Sequence, residues 1–338
     1  MSSIIIPTTT RAVFQPDIQS TELILTTLPL TPAKPNSDEH LIKVHATSPC
    51  SGELLWAKNF PSIMEPDRVA IPCNDLSGIV VTAPPNSPFP PGTEIYTRTP
   101  AARTGNARDF TIALTSELAL KPKNLSWEEA ASVPLSAFTA YQALFTHGGL
   151  ALGWKDPSGK LANSAKSVLV DAGAGGVGVW LIQLARAAGV KEIIAIVGPD
   201  NVEFVKSLGA TTVINYRQQS LGAFIKDGGE KVDLAIDMLG GQALADCWTA
   251  VKQGGILVSI REPPSGQRPV EGIEKDIKHS FFIMEPYGWQ LKEVAELLEK
   301  GEAKAVIDSI YKLEHFKEAF ARLDTGHARG KVIIRVAK

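Results

Sequence analysis

Apolar and polar positions along the 338-residue chain fall into two patterns. From residue 11 to about residue 123, short apolar runs are broken by Pro, Gly and Ser. The clearest are residues 41–46 (LIKVHA), 78–82 (GIVVT), 94–97 (EIYT) and 109–113 (DFTIA), each read as a β-strand. Pro84, Pro85, Pro88, Pro90 and Pro91 stiffen the loop after the second run. This half predicts an all-β or barrel-like unit. Ser126-Trp127-Glu128-Glu129 then opens a helix, with Ser126 as N-cap and Glu129 completing a capping box. The helical pattern reaches Phe145, and Pro134 is expected to break or kink it. Residues 147–166, containing Gly, Pro and Ser, read as a loop, a tolerated surface insertion with a substrate-side or interface excursion as the alternative.

Beyond residue 167 strands and helices alternate. Strands are expected at residues 192–197, 212–214, 232–237, 256–260 and 280–284, and helices at 201–208, 221–227 and 242–252. Such alternation predicts a parallel sheet covered on both faces. The tail reads as a helix at 289–299, a strand at 306–310, a helix at 314–323 and a final strand at 330–336.

The strongest chemical signal lies in SVLVDAGAGGVGVWLIQLARAAG, residues 167–189. An apolar strand runs into Gly173-Ala174-Gly175-Gly176-Val177-Gly178 and on into an amphipathic helix. The spacing fits GxGxxG in its strand–turn–helix context. Gly173 permits the tight turn, Gly175 lets backbone approach a pyrophosphate, and Gly178 lets helix pack closely on strand. The helix N-terminus adds free N–H groups and partial positive charge for that pyrophosphate. A dinucleotide-binding protein is expected.

Bulk properties narrow the class. The length favours two domains, and 44% hydrophobic with 21% charged residues is ordinary for a globular chain. A net charge of −2 gives no reason to expect nucleic acid or an anionic membrane as a partner. Cys50, Cys73 and Cys247 are too few and too scattered for a disulfide framework or a four-Cys zinc knuckle. No apolar run is long enough to span a bilayer, and MSSIIIPTTTRAVF lacks a secretory pattern. A cytoplasmic enzyme acting on a small molecule is the expectation.

Seven blocks, taken in order, resemble the medium-chain dehydrogenase/reductase superfamily in its zinc-free quinone oxidoreductase and enoyl reductase branch. They are AASVPLSAFTAYQALF (130–145), DAGAGGVG (171–178), SLGATTVINYR (207–217), DMLGG (237–241), QGGILVSI (253–260), FFIMEP (281–286) and HARGKVII (327–334). The resemblance implies an α/β fold, a Rossmann doubly wound parallel sheet plus a GroES-like β-barrel domain. It assigns residues 1–125 to the first part of the GroES-like domain, 126–285 to the Rossmann domain and 286–338 to a C-terminal segment completing the catalytic domain. The active site is implied to lie in the cleft. A homodimer through the Rossmann edge strand, SFFIM, is implied as well.

Zinc-dependent relatives carry ligands that can be sought here. In an ungapped register Cys50 falls at a ligand position and Glu53 at an acidic one, but Asn74 stands where a His is needed. A neutral amide is a poor ligand for catalytic zinc. The third-ligand region, Val133-Pro134-Leu135-Ser136, offers no Cys or Glu, and residues 96–121 hold no Cys for a structural site. No zinc is expected. Without a Lewis acid, a conjugated enone or quinone is favoured over an isolated carbonyl as acceptor, because it carries its own electron sink.

For the cofactor, Gly198 stands where an NAD-preferring fold places an acid. Tyr216 matches a residue that grips the 2′-phosphate in the family, with Arg217 as a second donor, although Asn201 replaces the usual Lys. Tyr216 could instead pack over the adenine. NADPH is favoured over NADH. Thr139, Leu239, Gly240, Phe281 and Phe282 match positions around the nicotinamide, and the two Phe residues equally suit an apolar edge strand. For proton transfer Glu53 is the candidate relay and Cys50 a candidate pocket residue. The competing readings are a locally bound Glu, a buried Cys acting as a small hydrophobe, and solvent as the donor. Non-redox chemistry, a scaffold role and alcohol dehydrogenation remain the rival functions.

Overall fold

In the computed structural model, which describes residues 6–337, the apolar run near residue 41 becomes the strand Glu39–Ser48. It pairs antiparallel with Asp75–Thr82, Phe110–Leu114 and Lys331–Arg335. Glu94–Arg98 and Ala119–Leu120 extend the sheet on one side, and Ile307–Lys312 pairs parallel with Lys331–Arg335 on the other. The last strand of the chain is thus built into a sheet that begins near residue 39. Ile42, Val44, Leu76, Val80, Ile95, Val332 and Ile334 form its core. Thr9–Phe14 and Ile24–Pro29 make a separate antiparallel pair.

Trp127–Ala131 is a helix closed by the expected capping box: the Glu129 N–H donates to Ser126 Oγ at 3.1 Å, and the Ser126 N–H to Glu129 Oε2 at 2.8 Å. Pro134 does break the helix, and Pro134–Tyr141 starts afresh with the proline in its first turn, where no N–H is missed. Gln142–His147 continues it as wider π-helical turns.

The second unit holds the parallel sheet. Among the described residues its strands run Thr212–Asn215, Glu192–Val197, Ser167–Val170, Val232–Asp237, Val251–Ser259 and Lys278–Phe281 across the sheet, all parallel. In chain order this is 3-2-1-4-5-6, the doubly wound arrangement. Ser167–Val170 is buried throughout, as a central parallel strand requires. Leu169, Ile194, Ala235, Leu244, Trp248 and Leu257 belong to one core cluster. The strand expected at 280–284 instead covers Lys278–Phe281 and is the outermost of the sheet.

Two expectations change. Residues 147–166 contain the helix Pro157–Asn163, started by Asp156, whose carboxylate accepts the Ser158 and Gly159 N–H groups. The units divide at Phe138/Thr139 and Met284/Glu285, whereas the blocks implied divisions after 125 and 285. The helix at Trp127 belongs with the first unit because Ala131 and Trp127 pack on Ala46 and Ile333.

Candidate functional site

The glycine turn is built as the motif demands, with one difference. The left-handed backbone belongs to Ala172 (φ +43°), not to Gly173. Gly173 is needed for another reason: a Cβ there would stand 3.1 Å from Ala195 Cβ and 3.3 Å from Val197 Cγ1 on the neighbouring strand. At Gly178 a Cβ would lie 2.5 Å from the Ala172 carbonyl oxygen and 2.7 Å from Gly173 Cα. Those are backbone atoms and cannot swing aside. Gly175 is the N-cap of helix Gly176–Ala187, and a Cβ there would meet only the Ala172 oxygen, at 3.3 Å. Gly175, Gly176 and Val177 are part exposed, so the first helical turn opens outward with N–H groups that have no helical partner.

The loop after Val232–Asp237 is tied down by carboxylates. Met238 N–H donates to Asp171 Oδ1 at 2.9 Å, and Leu239 and Gly240 N–H donate to Asp237 Oδ1 at 3.2 and 2.9 Å. Gly241 N–H reaches Glu262 Oε1 at 2.6 Å. Gly240 takes φ +76°, a conformation costly to any side chain, and holds Leu239 exposed at the tip.

Tyr216, Arg217 and Gly198 come together at the end of Glu192–Val197. A Cβ on Gly198 would lie 3.1 Å from the Tyr216 hydroxyl oxygen, so the phenol lies across this glycine. The Arg217 guanidinium stands 5.5 Å from the Tyr216 ring centre. Thr139 is buried. Phe281 and Phe282 diverge: Phe282 is buried and stacks on His147 at 4.3 Å, while Phe281 is exposed.

In the first unit the half-buried Cys50 and the buried Glu53 belong to one polar cluster. Gly52 (φ +76°) turns the chain so that Glu53 Oε1 accepts the Cys50 N–H at 3.1 Å. Oε2 accepts the Cys73 N–H at 3.0 Å, and Cys73 itself holds φ +68°. Burial pushes the Glu53 carboxyl up to about 7, against the opposing pull of these two N–H bonds and Lys331. Burial also pushes the Cys50 thiol up to about 11, so it is a neutral thiol rather than a nucleophilic thiolate.

Three members of the cluster were not singled out by motif. Lys331 Nζ lies 3.3 Å from Asp75 Oδ2 and donates to the Pro49 carbonyl at 3.2 Å. Asp75 Oδ1 accepts the Leu135 N–H at 2.7 Å. Arg98 is buried nearby, and its Nε has no partner among the described residues. The available signal was Lys331 itself, a lysine directly before the apolar run Val332-Ile333-Ile334. Asn74 turns its amide nitrogen to the Pro100 carbonyl at 3.1 Å and to Thr99 Oγ1 at 3.4 Å. Among the described residues no three His, Cys, Asp or Glu side chains are grouped to hold a metal ion.

A family model described as "Zinc-binding dehydrogenase" matches residues 208–334. The chain is 50% identical over 335 residues to the "Probable zinc-binding oxidoreductase, mitochondrial" of Arthroderma benhamiae, covering 98% of each. It is 30% identical to the "Chloroplast envelope quinone oxidoreductase homolog" of Arabidopsis thaliana, over 89% of this chain and 90% of that one. It is 29% identical to the "NAD(P)H oxidoreductase RTN4IP1, mitochondrial" of Danio rerio, over 73% and 67% of the two chains. In fold it matches the quinone oxidoreductase of Coxiella burnetii with a TM-score of 0.82 at 24% identity, covering 97% of this chain and 100% of that one.

The cytoplasmic expectation is corrected by these relatives, since the protein at 50% identity and the RTN4IP1 protein are both named mitochondrial. A missing secretory pattern bears on one export route and has no weight against a mitochondrial address. The order of the sheet, the glycine turn and full-length identity lead to one conclusion: the chain belongs to the medium-chain dehydrogenase/reductase superfamily, on its quinone oxidoreductase-like side, and is an oxidoreductase.

Proposed function

We propose that the protein uses NADPH in preference to NADH to reduce an α,β-unsaturated carbonyl compound or a quinone, without zinc. The observation that carries this reading is the chemistry of the cluster around Glu53. Where a zinc site needs an imidazole, Asn74 presents an amide whose nitrogen is already committed to Pro100 and Thr99. The Glu53 carboxylate oxygens each accept a backbone N–H, and Lys331 supplies a buried cation to the same cluster. A dication would have to displace those donors and stand near an ammonium group. The donor set therefore does not fit zinc, whatever the family description implies.

When bound, the nicotinamide supplies a hydride, and a conjugated acceptor takes it at carbon while charge moves to its oxygen. The protein's own share is to bind and to hold a proton. Gly173, Gly175, Gly176, Val177 and Gly178 supply the open helix terminus for a pyrophosphate. Tyr216 and Arg217 offer a hydroxyl and a guanidinium beside Gly198, where no carboxylate repels a 2′-phosphate. Thr139, Leu239, Gly240, Phe281 and Phe282 are assigned to the nicotinamide end. Glu53, poised near neutrality, is the proton-holding group, and Cys50 is a neutral pocket residue.

Steady-state oxidation of NADPH and NADH against quinones, 2-alkenals and enones tests this, with metal analysis of the same preparation. NADPH should be preferred on kcat/KM, and Arg217→Ala should lower that preference about tenfold, the loss of one charge-assisted phosphate contact. Equal use of both dinucleotides by the parent protein and by Arg217→Ala would reject the phosphate assignment.

A further inference from the structure

Two buried carboxyl groups, those of Asp171 and Asp237, meet at the end of the parallel sheet. Their strands, Ser167–Val170 and Val232–Asp237, are parallel neighbours in register, with Val170 beside Ile236. Asp171 is 1% exposed and Asp237 is 0% exposed. Every oxygen but one is occupied by a donor. Asp171 Oδ1 takes the Met238 N–H, and Asp237 Oδ1 takes those of Leu239 and Gly240. Asp237 Oδ2 accepts the Ser259 hydroxyl at 2.6 Å. Among the described residues Asp171 Oδ2 receives no donor, and the Asp171 and Asp237 carboxyls are near enough to hydrogen-bond when one of them carries a proton.

Two carboxyl groups in hydrogen-bond contact inside a core cannot both be ionised, because the mutual repulsion is unscreened. One proton between them converts that repulsion into a bond. Burial and the Asp237 charge hold Asp171 well above the usual carboxylate range. The Met238 and Leu239 N–H groups pull the other way, favouring the ionised form. Helix Gly241–Ala250 carries the buried Cys247, whose thiol is held in the neutral form by burial and by the charges of Asp171, Asp237 and Asp246. From the segment after Val251–Ser259, Glu262 holds the Gly241 N–H, and Arg261 passes Gly240 with its aliphatic stem.

The position of this pair gives it a task. Asp171 directly precedes the strained Ala172 and the glycine turn, while Asp237 and Met238 begin the loop that carries Leu239 and Gly240. We propose that Asp171 and Asp237, sharing one proton, are the positioning pair of the dinucleotide site, fastening the glycine turn to the 238–241 loop so that both hold one spacing. The proposal rests on the dinucleotide reading above. Loss of the shared proton at alkaline pH leaves two facing carboxylates, releases Met238 and weakens cofactor binding.

The test compares the parent protein with Asp171→Asn and Asp171→Leu, each first checked by thermal melting. Asn keeps an acceptor for Met238 and donates permanently to Asp237; Leu does neither. Without cofactor, hydrogen exchange at the Met238 amide should be at least about tenfold faster in Asp171→Leu and near parent in Asp171→Asn. NADPH binding, read by fluorescence between about pH 6 and about pH 9, should weaken about tenfold in Asp171→Leu. The parent should lose affinity on the alkaline side, and Asp171→Asn should not. Parent-like exchange and affinity in Asp171→Leu, or the same alkaline loss in Asp171→Asn, would overturn the proposal. If the parent binds no NADPH, the dinucleotide reading fails, and the exchange comparison still decides whether the pair fastens the loop.

Discussion

Alanine at Gly178 is expected to cost the protein both stability and its dinucleotide site, while alanine at Gly175 is expected to cost only the second. The two glycines stand three residues apart in one motif, yet their surroundings differ. A methyl group at Gly178 would be driven to 2.5 Å from the Ala172 carbonyl oxygen, and relief requires the turn to separate from the helix. Overpacking of that kind costs about 1–3 kcal/mol, and a rigid backbone neighbour places it at the upper end. The displaced turn then no longer presents its N–H groups. At Gly175 the same methyl meets only the Ala172 oxygen at 3.3 Å, which a shift of a few tenths of an ångström accommodates. On the proposed dinucleotide reading it does, however, stand where a phosphate approaches backbone, and an affinity loss of about tenfold or more is expected. Thermal melts with NADPH titrations separate the two cases. A Gly178→Ala protein as stable as the parent would show that the helix does not pack on the strand through this residue.

Replacing Lys331 by Met should be the most destabilising single change in the first unit. The side chain is buried, and burial opposes its charge, but Asp75, Cys50 and Glu53 together raise its pKa. Met keeps the length and removes the cation, leaving the Asp75 and Glu53 carboxylates without it. Breaking a buried pair from one side costs about 3–5 kcal/mol. The penalty should depend on pH with a definite sign. Glu53 is raised from the ordinary 4.5 to about 7 in the folded protein, so its protonated form is the one the fold prefers. Stability from this group is fully present below about 4.5 and is lost as pH rises through about 7. Lys331 is one of the groups lowering Glu53, so without it the loss extends to higher pH. Denaturant unfolding should therefore find a larger deficit for Lys331→Met on the alkaline side of neutrality than near pH 5. A deficit constant with pH would mean that the lysine acts through packing alone.

Much of this was legible in the residues. The strand–turn–helix context around Gly173 located the first parallel strand, and the alternation after residue 192 carried the rest of the sheet. Ser126 and Glu129 announced a helix start through a reciprocal pair of hydrogen bonds that few residue types make. Local chemistry of this kind is short-range, so it survives reading without a structure. Long-range placement does not. That the C-terminal segment completes the first domain came only through the family resemblance, and the pairing of the strand beginning at Lys331 with the strand beginning at Glu39 spans nearly the whole chain. The buried Lys331–Asp75 contact follows from that pairing and could not be found by spacing. The Asp171–Asp237 pair was hidden in the same way, each residue sitting in a motif read for its glycines. Ala172 shows a subtler limit: the turn needs one left-handed residue, and the glycine pattern pointed to its neighbour.

The most direct test of the central claim follows the hydride itself. Protein stripped of metal by chelation is given NADPH deuterated at C4 of the nicotinamide and an enone from the acceptor panel, and the product is analysed by mass spectrometry and NMR. Deuterium at the carbon β to the carbonyl, with the ketone intact and turnover unaffected by stripping, is the expected result. Deuterium on the carbonyl carbon of an alcohol product, or activity that returns only when zinc is restored, would contradict it.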